Sequence, residues 1–171
     1  MSWLSSLSDG LARVERWASR ILVVAFVALI VANVTMRYVV GRPIVYAEEL
    51  AAILLVWLAF VATSITVHDR AQIGVTMLTE KLPAAARRVV DIAVMAVVAA
   101  ILATLLWSSW KWAFSPMVDF DQIITTGWPK APFYLIVPIF SAAALIHVVA
   151  DLAEALGGRA IELSTDKGVE I

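Results

Sequence analysis

Two histidines are the residues of this sequence with the clearest capacity to bind a cofactor. His68 and His147 belong to the same end of two different apolar segments, so their rings can approach each other. Two histidines from neighbouring membrane helices can ligate a haem iron. However, Asp69 and Arg70 follow His68 directly, which indicates a position at the membrane surface that is too shallow for a buried macrocycle. We therefore expect interfacial hydrogen bonding, with haem ligation as the alternative.

A pair of adjacent carboxylates, Glu48 and Glu49, stands where an outer loop enters the second apolar segment. At a helix N-terminus, carboxylates interact favourably with the helix dipole, by about 0.3–1 kcal/mol. The alternative is ion pairing with Arg37, with Arg42 or with a partner subunit. Paired acids also occur in glycosidases and metal sites, but no further cluster of acids or histidines supports either chemistry here.

Motifs for other kinds of chemistry are absent from the sequence. There is no P-loop, so the chain does not couple its activity to ATP. The sequence has no cysteine, which excludes thiolate catalysis and iron–sulfur ligation. No basic patch is large enough for nucleic-acid binding. The sequence therefore predicts a protein that is not an enzyme and has no cofactor of its own.

The composition requires a membrane. Of the 171 residues 62% are hydrophobic and 16% are charged, whereas soluble domains average about 45–50% and about 25%. Four windows contain no charged residue: 21–36, 50–67, 92–110 and 131–150. Helices of this length cover about 24–30 Å, close to the hydrocarbon thickness of a bilayer, and their continuous apolar character does not fit a barrel. We predict an all-α membrane protein with spans at about 20–38, 48–68, 88–111 and 131–153.

The distribution of lysine and arginine predicts the orientation. Four of these cations fall on one side of the predicted spans: Arg37, Arg42, Lys111 and Lys130. Nine fall on the other: Arg13, Arg16, Arg20, Arg70, Lys81, Arg87, Arg88, Arg159 and Lys167. By the positive-inside rule both termini and the middle loop are cytoplasmic.

The segments outside the spans complete a single membrane domain, 1–171. Residues 1–20 form an amphipathic arm, because its apolar residues follow a spacing of three and four: Leu4, Leu7, Leu11, Val14 and Ala18. We expect this arm to lie in the cytoplasmic interface before the chain turns into span one, as a simple anchor or against a partner subunit. A short interfacial helical segment is predicted between spans two and three, and 157–171 form a loose polar tail.

Polar groups inside the windows are few. Ionisable residues within a membrane mark a transport pathway by default, and the windows contain only hydroxyls, Asn33 and His147. Hydroxyls in membrane helices commonly bond to their own backbone or to a neighbouring helix, so we expect packing rather than substrate contact. Four tryptophans flank the outer loop between spans three and four, which is typical of a membrane belt: Trp107, Trp110, Trp112 and Trp128. A partner-docking surface is the alternative.

Several short motifs, in order, resemble one known family. They are MRYVVGRP at 36–43, YAEEL at 46–50, WLAF at 57–60, Leu82-Pro83, TTGWP at 125–129, Tyr134 and Pro138. Together they resemble the small membrane (DctQ-like) subunit of tripartite ATP-independent periplasmic (TRAP) transporters. The resemblance covers roughly residues 15–150, which is essentially the whole membrane part.

The resemblance implies a transport system of three parts in the bacterial inner membrane. A periplasmic binding protein captures an organic acid, and a large membrane subunit carries the substrate and sodium sites and moves in an elevator-like manner. The small subunit packs against the large one, within the lipid bilayer, as a fixed scaffold. Residues expected to contact partners or to stabilise the scaffold itself are Arg37, Arg42, Glu48, Glu49, Trp57, Trp107, Trp110, Trp128 and Pro129. Of these, Arg37, Arg42, Glu48 and Glu49 are expected to stabilise the outer end of spans one and two.

Two other functions stay open. A haem-bearing anchor subunit of a respiratory complex would use the two histidines. A stand-alone small exporter would need a carboxylate embedded in the membrane, and none lies within the four windows.

Overall fold

The computed structural model describes residues 3–69 and 83–156. This part of the chain is helical, and its only β-type pairing is one isolated bridge between Gln122 and Pro129. Its helices are α1 (Trp3–Thr35), α2 (Ala47–His68), α3 (Ala84–Ala113), α4 (Pro116–Asp119), α5 (Ala131–Tyr134) and α6 (Ile136–Leu156). Four stretches are long and apolar enough to cross a membrane, as predicted. The interfacial segment predicted between spans two and three, and the tail 157–171, lie outside the described residues.

The first helix differs from the prediction. The predicted turn between an interfacial arm and span one is absent: α1 runs unbroken from Trp3 to Thr35 and continues through a π-helical segment, Met36–Val40. No proline and only one glycine, Gly10, interrupt this stretch, so nothing in it breaks the backbone hydrogen bonding. The combined helix of 38 residues is about 57 Å long, which exceeds the thickness of the hydrocarbon core.

A short connection joins α1 to α2 at the end that the sequence assigns to the outside. Gly41 ends the π-helical segment with φ of 71°, a left-handed conformation that favours glycine. Asn33, buried on α1, accepts a hydrogen bond from the backbone N–H of Ile44 at 2.9 Å. These two residues fold the connection back, so that α2 returns antiparallel along α1.

The last span is interrupted near its start. The helix breaks at Leu135, between α5 and α6, and Pro138 follows three residues later, fully buried. Proline lacks an N–H, and its ring clashes with the carbonyl four residues back, here that of Tyr134. The helix is therefore broken one turn before Pro138.

The bundle is built around α6. It packs against α3, α2 and α1, while α1 also packs along α2. Half of the apolar window of the last span is buried, against 6–11% in the other three. Small residues on α6, including Ser141, Ala143, Ala144 and Ala150, are buried and let neighbouring backbones approach closely.

The apolar core lies between α3 and α6. Leu102, Phe140, Ala144 and Val148 form its buried centre, and partly buried side chains surround them. The ring of Phe140 also lies 5.1 Å from the ring of Phe60, centroid to centroid, which connects α2 to this core. Dispersion contacts of this kind are the main attraction between helices in lipid.

The adjacent residues Phe140 and Ile139 provide a test of this core. Phe140→Ala removes the buried ring and leaves a cavity, so it should destabilise the purified protein by about 3–5 kcal/mol. Ile139→Ala, a matched change at a side chain that is 58% exposed, should have little effect. Unfolding of both variants in detergent micelles measures the difference. Equal losses of stability would contradict the assignment of the core.

Candidate functional site

Two ion pairs join α1 to α2, one at each end of the bundle. One end of the bundle contains residues 8–16, 68–69 and 147, and we call it the inner end. There, Arg16 lies 2.6 Å from Asp69. At the outer end, Arg37 lies 2.9 Å from Glu48. The two pairs are 21 residues apart on each helix, which corresponds to about 32 Å and matches a hydrocarbon core of about 30 Å. The apolar parts of α1 and α2 therefore lie side by side, with one ion pair at each end of the shared length.

The inner end contains a buried polar cluster centred on His147. This ring is fully buried on α6, with Nδ1 2.7 Å from the hydroxyl of Ser8 and Nε2 3.1 Å from the carboxylate of Glu15. Ser8, Ala12 and Glu15 are buried along one face of α1. A neutral imidazole can accept from the serine hydroxyl and donate to the carboxylate. The cluster therefore holds the N-terminal part of α1 against α6.

His68 extends this cluster to the surface. Its Nδ1 lies 3.0 Å from the carboxylate of Asp69, and its Nε2 lies 3.2 Å from that of Asp9. His68 thus joins the end of α2 to α1 beside the Arg16–Asp69 pair.

The two histidine rings lie together, as predicted from their places in the sequence. Their centroids are 4.9 Å apart in an edge-to-face arrangement at 74°. All four ring nitrogens already face hydrogen-bonding partners, so no nitrogen of either ring is left to ligate an iron. The arrangement is one of interfacial hydrogen bonding, and it does not favour haem.

At the outer end, Glu49 holds the loop that precedes the last span. Its carboxylate accepts hydrogen bonds from the backbone N–H of Ile124 at 3.2 Å and of Thr125 at 3.1 Å, and from the Thr125 hydroxyl. Its neighbour Glu48 points to Arg37 instead. Both acids lie in the first turn of α2, where the helix dipole also favours them. The two adjacent acids therefore contact different elements: Glu48 binds Arg37 at the outer end of α1, and Glu49 binds the outer loop.

A second carboxylate organises the same loop. Asp121 accepts a hydrogen bond from the Tyr134 hydroxyl and lies 3.5 Å from the ammonium of Lys130. The tyrosine hydrogen bond, aided by the lysine charge, holds the pKa of the Asp121 carboxyl below its usual range. The loop between α3 and α5 is thus compact, with the short helix α4 and a turn closed by the Gln122–Pro129 bridge.

The tryptophans and the proline predicted to be site residues have two kinds of surroundings: some make contacts that hold the outer loop, and the others have exposed rings. The indole of Trp57 donates to the carbonyl of Phe133 at 2.9 Å, and Pro129 forms the bridge that closes the turn. Trp128 accepts a backbone hydrogen bond from Ile123, but its ring is exposed. Trp107 and Trp110 are also exposed on α3. The three exposed rings fit both interpretations given above, a membrane belt and a partner surface.

Arg42 and Arg37 have different surroundings. The guanidinium of Arg37 pairs with Glu48, whereas the backbone N–H of Arg42 donates to the carbonyl of Met36. Within the described ranges, Arg42 is not among the ion pairs of Glu48 or Glu49. Of the two arginines proposed as partners of these acids, Arg37 is the one in contact.

The hydroxyls within the spans bond to their own helices, as predicted. Thr35, Thr63, Thr66, Thr104 and Ser141 each donate to the carbonyl four residues back. In the part of the chain that the structure describes, Ser64 differs, because its hydroxyl is buried without a hydrogen-bonding partner. These hydroxyls therefore do not line a continuous polar path.

Sequence reasoning missed the inner cluster around the histidines. Because residues 1–20 are predicted to lie in the membrane plane, the sequence predicts no contact of Ser8 or Glu15 with the last span and no partner for Asp9, Arg16 or Asp69. The spacing of Arg16 and Arg37 on α1 equals that of Glu48 and Asp69 on α2. This equality is the signal that could have placed these charges opposite each other.

Comparison with known proteins gives consistent matches. A family model described as "Tripartite ATP-independent periplasmic transporters, DctQ component" matches residues 26–158. The chain is 29% identical over 111 residues to the C4-dicarboxylate TRAP transporter small permease protein DctQ of Vibrio cholerae, covering 65% of this chain and 48% of that protein. It is 26% identical over 76 residues to the sialic acid TRAP transporter permease protein SiaT of Haemophilus influenzae, covering 44% of this chain and 12% of that protein. The chain thus spans less than half the length of either curated relative.

The adjacent acids Glu48 and Glu49 allow a matched test of the outer loop. Glu49→Ala removes the acceptor of the Ile124 and Thr125 amides, so these amides should exchange with solvent deuterium faster. Glu48→Ala removes a neighbouring charge but no loop contact, so it should leave their exchange unchanged. Hydrogen exchange of the purified chain measures both. Similar exchange in the two variants would show that Glu49 does not hold the loop.

The buried pair Glu15–His147 predicts strong coupling between its members. His147→Leu leaves a buried carboxylate without a partner, which should cost about 3–5 kcal/mol of stability. Glu15→Leu together with His147→Leu removes both polar groups, so the double variant should be more stable than His147→Leu alone. A double-mutant cycle of unfolding in detergent micelles measures this coupling. Losses that simply add would contradict it.

Proposed function

Because this chain belongs to the DctQ family of TRAP transporter components, we propose that it acts as a fixed scaffold for a large membrane subunit. In this proposal the large subunit carries the substrate and sodium sites, and it takes up an organic acid delivered by a periplasmic binding protein. The small subunit contributes no catalysis, no cofactor and no pathway of its own. The family is one of transporter components and not of enzymes.

One observation carries the scaffold proposal: polar groups lie at the two ends of the bundle, and the region between them is apolar. The ion pairs and the histidine cluster lie at these ends. The hydroxyls between them are mostly bonded to their own helices. A substrate anion or a sodium ion crossing a membrane needs polar ligands along its path. Such ligands must come from another chain.

The exposed apolar surface supports the same proposal. The apolar windows of α1, α2 and α3 are only 6–11% buried, so three of the four spans present most of their surface outward. Lipid covers part of such a surface. A larger partner in the same membrane would cover the rest, and packing against its helices would hold the four spans in place.

The outer loop suits contact with a second partner. Glu49 and Asp121 fix its backbone from two sides, while the rings of Trp107, Trp110 and Trp128 stay exposed near it. A fixed backbone with exposed aromatic side chains is typical of protein-binding surfaces. We infer that this loop helps to form the surface that meets the binding protein.

The proposed location is the bacterial inner membrane, with four spans and both termini in the cytoplasm. The distribution of lysine and arginine in the sequence supports this orientation. It places the histidine cluster at the cytoplasmic surface and the Arg37–Glu48 pair at the periplasmic surface.

Neither alternative function gains support from the geometry. A haem anchor needs a free histidine nitrogen, and those of His68 and His147 face other partners. An exporter needs an embedded carboxylate, and the buried Glu15 is engaged with His147 at one end of the bundle.

A transport assay tests the scaffold proposal. Cells that express the large subunit and the binding protein should take up substrate only when this chain is present, because the large subunit lacks its support otherwise. The chain alone in proteoliposomes should transport nothing. Uptake that persists without the chain would refute the scaffold role.

A charge exchange provides the matched control in the same assay. Arg37→Glu should lower uptake, since it places two acids together at the outer end of α1 and α2. The exchange Arg37→Glu with Glu48→Arg should restore uptake, because it re-forms the pair in the opposite sense. Membrane levels of all variants are measured by immunoblotting. Full uptake by Arg37→Glu at a normal level of the protein in the membrane would show that the Arg37–Glu48 ion pair does not support transport.

A further inference from the structure

Both acids on the N-terminal part of α1 are paired with histidines. Glu15 is buried beside His147, whereas Asp9 is exposed and lies 3.2 Å from His68. Arg13 and Arg20 are exposed on the surface of the helix, and the guanidinium of Arg13 donates to the backbone carbonyl of Asp9 at 3.4 Å. The histidines therefore engage the negative charges, and the outward surface is left basic.

Large apolar side chains lie on the same outward side. Trp3, Leu7, Val14 and Trp17 are 47–72% exposed. Their spacing of four, seven and three residues places them along one stripe of the helix. The guanidinium of Arg20 lies over the Trp17 ring, 5.4 Å from its centroid, and Arg13 stands one turn before Trp17 on the same face. We call these six residues the arginine–tryptophan face.

The contacts of α1 with α2 set the depth of this face. The Arg16–Asp69 pair lies at the end of α2, directly after the last residue of its apolar helix. Arg13, Trp17 and Arg20 are within four residues of Arg16 along α1. They therefore lie at the level where the hydrocarbon core meets the headgroups, which is where tryptophan and arginine side chains are favoured in membrane proteins.

We propose that the arginine–tryptophan face binds anionic phospholipid headgroups at the inner end of the bundle. The two guanidinium groups supply charge complementarity to phosphate, and the Trp17 indole between them lies at the headgroup level. Charge complementarity favours an anionic lipid as the occupant, because the face exposes two arginines, and the exposed acid near them, Asp9, is already paired with His68. The face is thus a lipid site held in place by the histidine cluster behind it.

Lipid enrichment around the purified chain tests this site. The chain is reconstituted in vesicles of phosphatidylcholine with a minority of phosphatidylglycerol, and it is then extracted in mild detergent. The lipids that remain bound are quantified by mass spectrometry. The unaltered chain should retain phosphatidylglycerol above its share in the vesicle, by about fivefold for each surface arginine.

Variants at the two arginines decide the outcome. Arg13→Gln with Arg20→Gln should remove the enrichment, whereas lysine at both positions should keep most of it. Arg42→Gln, at the other end of the bundle, should leave it unchanged, and circular dichroism checks that all variants keep their helix content. Equal retention by the glutamine variant and the unaltered chain would overturn the proposal. Loss of the enrichment once the large subunit is bound would also overturn it, because a protein would then cover this face.

Discussion

The equal spacing of the two ion pairs on α1 and α2 is the constraint on which the other contacts depend. Arg16–Asp69 and Arg37–Glu48 are separated by the same number of residues on both helices, so satisfying one pair in an antiparallel hairpin also satisfies the other. Exposed ion pairs contribute little to stability in water. Here each pair lies at an edge of an apolar segment, where sliding one helix along the other would pull a charge into the hydrocarbon.

The register of α1 against α2 explains why buried polar side chains lie at the inner end of the bundle. Because α1 extends past the end of α2, its face with Ser8 and Glu15 reaches α6, where His147 can bond to both. The same register leaves the connection at the outer end short enough for Asn33 to hold it. Polar contacts therefore hold the helices together at both ends of the bundle, and apolar packing lies between them. This distribution suits a scaffold and not a transport pathway.

Much of this organisation could be read from the sequence. The charge-free windows predict the four helices, because a charge within lipid costs several kcal/mol and is excluded from spans. The approach of His68 and His147, the pairing of Arg37 with Glu48 and the self-bonded hydroxyls also follow from residue type and position. The continuity of α1 could not be predicted from the sequence. The charges between Asp9 and Arg20 resemble those of a surface arm, and periodicity alone does not tell which face of a helix meets a partner helix. The compact outer loop was missed for a similar reason, since Glu49 and Thr125 are far apart in the sequence.

The central claim is that this chain stays fixed while its partner moves. The sequence contains no native cysteine that would have to be replaced, so spin labels can be attached at Val39→Cys, in the π-helical segment at the outer end, and at Val89→Cys, near the inner start of α3. Both side chains are exposed, and they lie at opposite ends of the bundle. Double electron–electron resonance on the assembled transporter should give one distance distribution, unchanged by sodium and by substrate with the binding protein. A shift of the main distance on adding sodium or substrate would contradict the account, because the small subunit would then be part of the moving machinery.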